Sequence, residues 1–368
     1  MKDFEFKFPT IVYYETGELE TLKILSGKKV LFLYGKNSLK ENGYYDLILK
    51  RLKEYNIRFF ELGDIFKTDI KKVEEGIKIS KKNDIEAILG VGGSTVMDLA
   101  KIISFGALND NLWSYLNHTL DPTGLDSLYT VLIPTYPAGG SEIDNAAEVD
   151  DFLNKRHGSL YGIYPDVCIM NPKLTYSLDL EATSYLAIEQ FVQASCAIIG
   201  TTGIVNELGI TVCKNILSSL KALRSNLQCE EARTNLLLTS SINVSGLISN
   251  GGSEIGYLIY SLESIGENLL EMSYRDALIV YFPLFLRLLS KHYYYEVLKY
   301  FKDIFGIDDI EIGIKRIYEL YDMYNLNGYY NSFGELQNDT VILNNLDAVE
   351  PFTLEELLET YKSGFTTK

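Results

Sequence analysis

The sequence predicts an α/β domain built on a parallel sheet, followed by an all-helical domain. Three observations carry that expectation. The first half alternates short β-rich runs with helical patterns, the arrangement of a parallel sheet with helices on both faces. From about Leu180 to Phe305 almost every segment instead has helical periodicity, with few turn signals. The length of 368 residues suits two domains at ~100–200 residues each. The expected division is 1–179 and 180–368.

Lys29 to Tyr34 is an apolar strand ending at Gly35. Tyr44 to Tyr55 reads as an amphipathic helix, and Arg58 to Leu62 as a second strand. Ile70 to Lys82 is helical, with its charges on one face. Ala87 to Val91 is a third strand that enters a Gly-rich turn, and Met97 to Phe105 continues as a helix. Tyr129 to Pro134 is a fourth strand, and Asp166 to Met170 is the last extended run. Beyond Asn171-Pro172 the clear helices are Glu181 to Ile199, Val205 to Ala222, Glu230 to Ser249 and Tyr274 to Leu289.

Asp plus Glu total 50 against 34 Lys plus Arg, a formal net charge of -16. Such a surface repels backbone phosphates on average, so nucleic acid is not an expected partner. The four cysteines form no C-x-x-C pair and no zinc spacing, which fits a reducing compartment. Met1 to Phe8 lacks the apolar core of a signal peptide. The longest apolar stretch, Ala277 to Leu286, is too short for a bilayer, which needs ~20 residues. A cytoplasmic protein is expected, with no membrane partner.

The most informative stretch is Gly90-Val-Gly-Gly-Ser-Thr-Val-Met-Asp-Leu-Ala-Lys101. A strand ends, glycines turn the chain, and a helix begins. Gly90, Gly92 and Gly93 allow close approach of a ligand and positive φ. Ser94 or Thr95 would cap the new helix, with Asp98 in its first turn. Free N–H groups at that helix start suit a pyrophosphate. A plain strand–turn–helix joint would use the same glycines. A second loop, Ile133-Pro-Thr-Tyr-Pro-Ala-Gly-Gly-Ser-Glu142, leaves the same end of the sheet. Ligands of open α/β sheets bind at those carboxyl ends.

These two loops resemble the signature loops of the iron-containing (group III) alcohol dehydrogenases, G-x-G-G-G-S-x-x-D-x-A-K and I-P-T-T-A-G-T-G-S-E. Ser94 stands where the family has a third consecutive Gly, and Tyr136-Pro137 stands for Thr-Ala. Tyr34-Gly-Lys-Asn-Ser38 is similar to the first strand–loop of the butanol-dehydrogenase-like branch. Asn171-Pro-Lys-Leu-Thr175 and Pro351-Phe-Thr-Leu-Glu355 resemble further family motifs. The resemblance implies a Rossmann-like N-terminal domain plus an all-helical one, the dehydroquinate synthase-like fold. It also implies a homodimer and an NAD(P)-dependent reaction on a small alcohol, aldehyde or sugar carbonyl. Cofactor contacts would fall on Gly35, Asn37, Ser38, Gly92, Gly93, Ser94, Thr95, Asp98, Thr135, Tyr136, Ala138, Gly139, Lys155 and Leu174. The family's Asp after its first strand takes the ribose 2′-OH. Here that place resembles Gly35, followed by Lys36, so NADP(H) is favoured over NAD(H).

The family's metal ligands, an Asp and three His, have no counterpart in this chain. Counting back from Glu189, the D-A-x-x-H positions hold Ala182 and Leu186. The other two His positions hold Tyr260 and Tyr274. The chain's only histidines, His118, His157 and His292, lie elsewhere. Glu254, Glu263 and Asp276 are near in sequence and read as solvated helix charges. No transition metal is expected. Another acid must then stabilise a developing alkoxide, and the candidates are Tyr260 and Tyr274, with Arg275 as the cation that would lower a phenol's pKa. The alternative is a nucleotide-binding family member that no longer turns over and has a structural or regulatory role.

Overall fold

The computed structural model describes residues 3–36, 38–137, 139–270, 272–326, 338–345 and 349–366. The strands are β1 (Ile11–Tyr14), β2 (Lys29–Gly35), β3 (Arg58–Ile65), β4 (Ala87–Gly92), β5 (Tyr129–Pro134), β6 (Ala147–Asp151), β7 (Arg156–Leu160) and β8 (Val167–Met170). Six of them form one sheet in the order β1-β8-β5-β4-β2-β3, and every pairing is parallel. β6 and β7 form a separate antiparallel pair. Alternate residues of the central strands feed two cores. Leu31, Leu33, Ile88 and Leu132 pack on one face with Ile102, Ile103 and Phe105. Val30, Phe32, Leu89 and Val131 pack on the other with Leu22, Ile48 and Leu52. β4 is buried at every position, which explains its continuous apolar run.

The chain runs outward from β2 to β3 on one side and from β4 to β5 on the other, so the order of strands reverses between β2 and β4. That reversal is where open parallel sheets bind ligands. Gly35 and Gly92 end the two strands that flank it.

The chain divides into two compact units. One holds Lys7–Leu178 with Asn226–Ser245, and the other Met1–Phe6, Asp179–Ser225 and Gly246–Lys368. The helix Glu230–Val244 therefore belongs with the sheet, where Leu237 packs on Ile143, Cys168 and Met170. The second unit is helical. Asp179 opens its helix Leu180–Ile198 by accepting the Ala182 N–H at 2.8 Å, and Ser273 opens Tyr274–Ser290 in the same way. The apolar run Ala277 to Leu286 is the buried centre of Tyr274–Ser290. No helix among the described residues is long and apolar enough to cross a membrane.

Several element ends differ from expectation. The helix expected over Glu230 to Ser249 stops at Val244, because Gly246 takes φ 90° and restarts the chain as Leu247–Gly251. The helix expected from Met97 begins at Ser94. β1, β6 and β7 were not expected. They are short, and β1 is exposed at three of its four positions.

Candidate active site

A cavity of about 240 Å³ opens at the carboxyl ends of β2 and β4. Gly35, Gly92, Gly93, Thr95, Thr135, Tyr136 and Leu174 line it, whereas Ser94 is not among its lining residues. Lys36 and Phe66 also line it, and the Lys36 ammonium lies 3.9 Å from the centre of the exposed Phe66 ring. No Asp or Glu is among the described residues of the lining. Phe66 was not expected, because only the strand order places the end of β3 beside that of β2. Gly139 adjoins the site, its Cβ position 3.7 Å from Ser94 Cβ, with φ 79°. Asn37, Ala138 and the side chain of Ser38 lie outside the described residues.

The glycines work differently from expectation. None of Gly90, Gly92 and Gly93 takes positive φ. A Cβ at Gly90 would lie 2.8 Å from Leu132 and 3.0 Å from Ala100, so this glycine lets β4 pack on its neighbours. Gly93 is the helix N-cap in extended conformation, with φ -91°. No side chain of the helix caps it, and neither Ser94 nor Thr95 serves as the N-cap. Instead the Ser94 N–H donates to the Tyr136 phenol oxygen at 3.0 Å, and the Ser94 hydroxyl lies 3.0 Å from the same atom. The Tyr136 ring covers Gly93, where a Cβ would sit 1.7 Å from Cε1.

Asp98 and Lys155 do not line the cavity. Asp98 turns inward. It accepts a hydrogen bond from the Ser141 hydroxyl, and Lys101 Nζ is 3.8 Å away. Burial pushes the Asp98 carboxyl up to about 6, although Lys101 and Ser141 hold it down. Lys101, with no exposed surface, pairs with Asp144 at 2.6 Å. Beside it Glu142 accepts from the Ser241 hydroxyl at 2.7 Å, and burial pushes its carboxyl up to about 7. The D-L-A-K and S-E residues of the two loops thus brace one another from below. Lys155 lies at the exposed tip between β6 and β7, with φ 50°.

In the helical unit, the two candidate acids meet. The Tyr260 and Tyr274 hydroxyls are 3.2 Å apart and their rings stack at 6.2 Å. The Gln193 amide reaches Tyr274 at 3.4 Å. Arg275 pairs with buried Glu189, so it does not lower either phenol. Burial instead raises both hydroxyls well above the ordinary tyrosine value. They remain hydrogen-bond donors and are not ready proton sources near neutrality. Leu186 is core, and Asp276 accepts from the Tyr185 hydroxyl. Glu263, expected as a solvated charge, is buried, and burial beside Glu267 pushes its carboxyl up to about 8.

Against known proteins, the iron-containing alcohol dehydrogenase profile matches residues 9–172. NADH-dependent butanol dehydrogenase A of Clostridium acetobutylicum is 24% identical over 99% of this chain and 100% of its own. NADPH-dependent butanol dehydrogenase of Clostridium saccharobutylicum is 25% identical over 53% of this chain and 52% of its own. The solved NADH-dependent butanol dehydrogenase A of Thermotoga maritima superposes with a TM-score of 0.81, at 23% identity and 98% coverage of both chains. The N-terminal part of the chain is thus similar to the iron-containing alcohol dehydrogenases, and the whole chain is similar to a butanol dehydrogenase. Its fold is that of this solved butanol dehydrogenase, with a six-stranded parallel sheet and a helical C-terminal region.

The family's name implies iron, and the residues present do not fit it. Ala182 and Leu186 offer no donor, and the Tyr260 and Tyr274 hydroxyls bond each other. Among the described residues, no three His, Cys, Asp or Glu side chains converge as a metal-holding group. A nicotinamide nucleotide fits better. Its adenosine side would meet Gly35, Lys36 and Phe66, while the Ser94 N–H that suits a pyrophosphate is taken by the Tyr136 phenol.

Proposed function

We propose that the protein is an oxidoreductase that moves a hydride between NADP(H) and a small alcohol, aldehyde or sugar carbonyl, without a bound transition metal. The observation that carries this reading is the cavity at the β2–β4 reversal, lined by Lys36 and by no described carboxylate. An acidic residue there would select a free ribose 2′-OH, whereas a cation favours a 2′-phosphate. In this reading residues 1–179 form the nucleotide-binding domain and 180–368 the helical domain that carries Tyr260 and Tyr274. Tyr274, with Tyr260 behind it, would donate a hydrogen bond to the oxygen that gains charge. We place the protein in the cytoplasm as a homodimer. Its four cysteines are free, and the exposed strand β1 offers an unpaired edge for a second copy.

A second reading has its own support. The Tyr136 ring over Gly93 and the raised phenols suit a nucleotide-binding member that has lost turnover. NADPH consumption across a panel of aldehydes decides between them. Turnover with at least one aldehyde, at a lower KM for NADPH than for NADH, is the expected result. Nucleotide binding without consumption of any substrate would replace the first reading by the second.

A further inference from the structure

We infer that Tyr136 determines the affinity of this site for pyrophosphate-bearing nucleotides by holding the phosphate's place itself. The inference rests on the nucleotide reading above and adds a residue to it. The start of helix Ser94–Leu108 presents an N–H group to whatever anion lies over Gly93. Here that N–H is taken by the Tyr136 phenol oxygen at 3.0 Å, and the Ser94 hydroxyl is held by the same atom. The ring fills the space above Gly93 so closely that even a methyl group there would overlap it. A pyrophosphate cannot occupy that space while the ring is in it. Tyr136 is only half-buried, and it stands on a loop whose Gly139 and Gly140 take φ 79° and 67°. Turning the ring outward toward solvent vacates the position without opening the core.

The consequence is quantitative. A ligand that binds only the ring-out state has its apparent affinity reduced by the fraction of molecules in that state. A ligand that uses the Gly35, Lys36 and Phe66 end of the cavity and carries no pyrophosphate feels no such reduction. The site therefore discriminates by the presence of the pyrophosphate, and Tyr136 sets the degree.

Calorimetric titration of wild type, Tyr136→Thr and Tyr136→Phe with NADPH, NADH and 2′-AMP tests this. Tyr136→Thr should bind NADPH at least ~10-fold more tightly than wild type, the gain expected if the ring-in state is ~90% populated. Tyr136→Phe, which keeps the ring, should gain less. Binding of 2′-AMP should not change. Equal or weaker NADPH binding by Tyr136→Thr, with wild type binding well, overturns the role of Tyr136 and leaves the nucleotide reading intact. Absence of NADPH and NADH binding in all three proteins overturns both. A thermal-stability cycle needs no nucleotide. Gly93→Ala should lower Tm in wild type and much less in Tyr136→Thr, and equal losses in the two backgrounds would place the ring elsewhere and overturn the inference.

Discussion

Glu142 has a buried carboxylate oxygen with no hydrogen-bond partner among the described residues, a costly arrangement for an ionised group. Burial holds its pKa up at about 7, and the Ser241 hydroxyl only partly offsets this. In the unfolded chain a glutamate ionises near ~4.3. Between these values the folded state keeps a proton that the unfolded state has lost, so this contribution to stability falls as pH rises. It is fully present below the unfolded value and gone above the folded one. Urea unfolding at about pH 5 and about pH 8 should therefore show a smaller loss of stability in Glu142→Gln than in wild type. An identical loss in both would mean that Glu142 is not the titrating group. Tyr274 is the second test at this scale. Its hydroxyl lies within hydrogen-bonding distance of Tyr260 and Gln193. Removing one hydrogen-bond donor from a developing oxyanion lowers kcat by ~10²–10³. Tyr274→Phe should show a drop of that order with Tm nearly unchanged, whereas unaltered kcat would reduce the phenol to a space filler.

At the scale of elements, Gly140 separates two kinds of constraint. It takes φ 67°, and a Cβ there would lie 1.8 Å from Val244 Cγ2 on the helix Glu230–Val244. Gly27 takes φ 80° with nothing within 4 Å. Gly27→Ala should therefore cost only left-handed strain, ~1–2 kcal/mol. Gly140→Ala should cost that plus overpacking of ~1–3 kcal/mol. Denaturant midpoints of the two variants check the difference, and equal losses would show that the loop yields freely to the helix. The central strands were legible because burial on both faces leaves an apolar run, as in β4 and β5. The strand–turn–helix at the glycine loop was legible from its glycines, but the packing role of Gly90 was not. What stayed hidden depends on neighbours far away in sequence. Phe66 joins the site only through the pairing of β2 with β3. The fate of Asp98 depends on Lys101 and Ser141, which local sequence cannot bring together. Tyr136 was visible as a departure from the family motif, but its bond to Ser94 was not.

For the molecule as a whole, β1 pairs with β8 on one side only, and its Ile11 and Tyr13 are exposed. An open edge with apolar side chains suits pairing with a second copy. Light scattering at micromolar concentration should give a dimer, and Ile11→Lys should shift it toward monomer. A monomer in both proteins would remove the dimer from the proposal. Metal content is the wider test, since it bears on how the entire helical unit is read. The three histidines are engaged apart from one another: His118 with Ser159, His157 with Asp150, and His292 with Glu356. Sites built only of carboxylates favour Mg²⁺ or Ca²⁺ over Zn²⁺ or Fe²⁺. The purified protein should therefore hold no stoichiometric iron or zinc. A metal bound to the folded state alone, at ~1,000 times its Kd, would add ~4 kcal/mol of stability. For a chain of this size such a loss lowers Tm by several degrees, well within calorimetric resolution. Chelator should leave Tm and any NADPH-linked turnover where they were. Stoichiometric iron or zinc whose removal lowers both would restore a metal mechanism and reassign Tyr260 and Tyr274 from hydrogen-bond donors to bystanders.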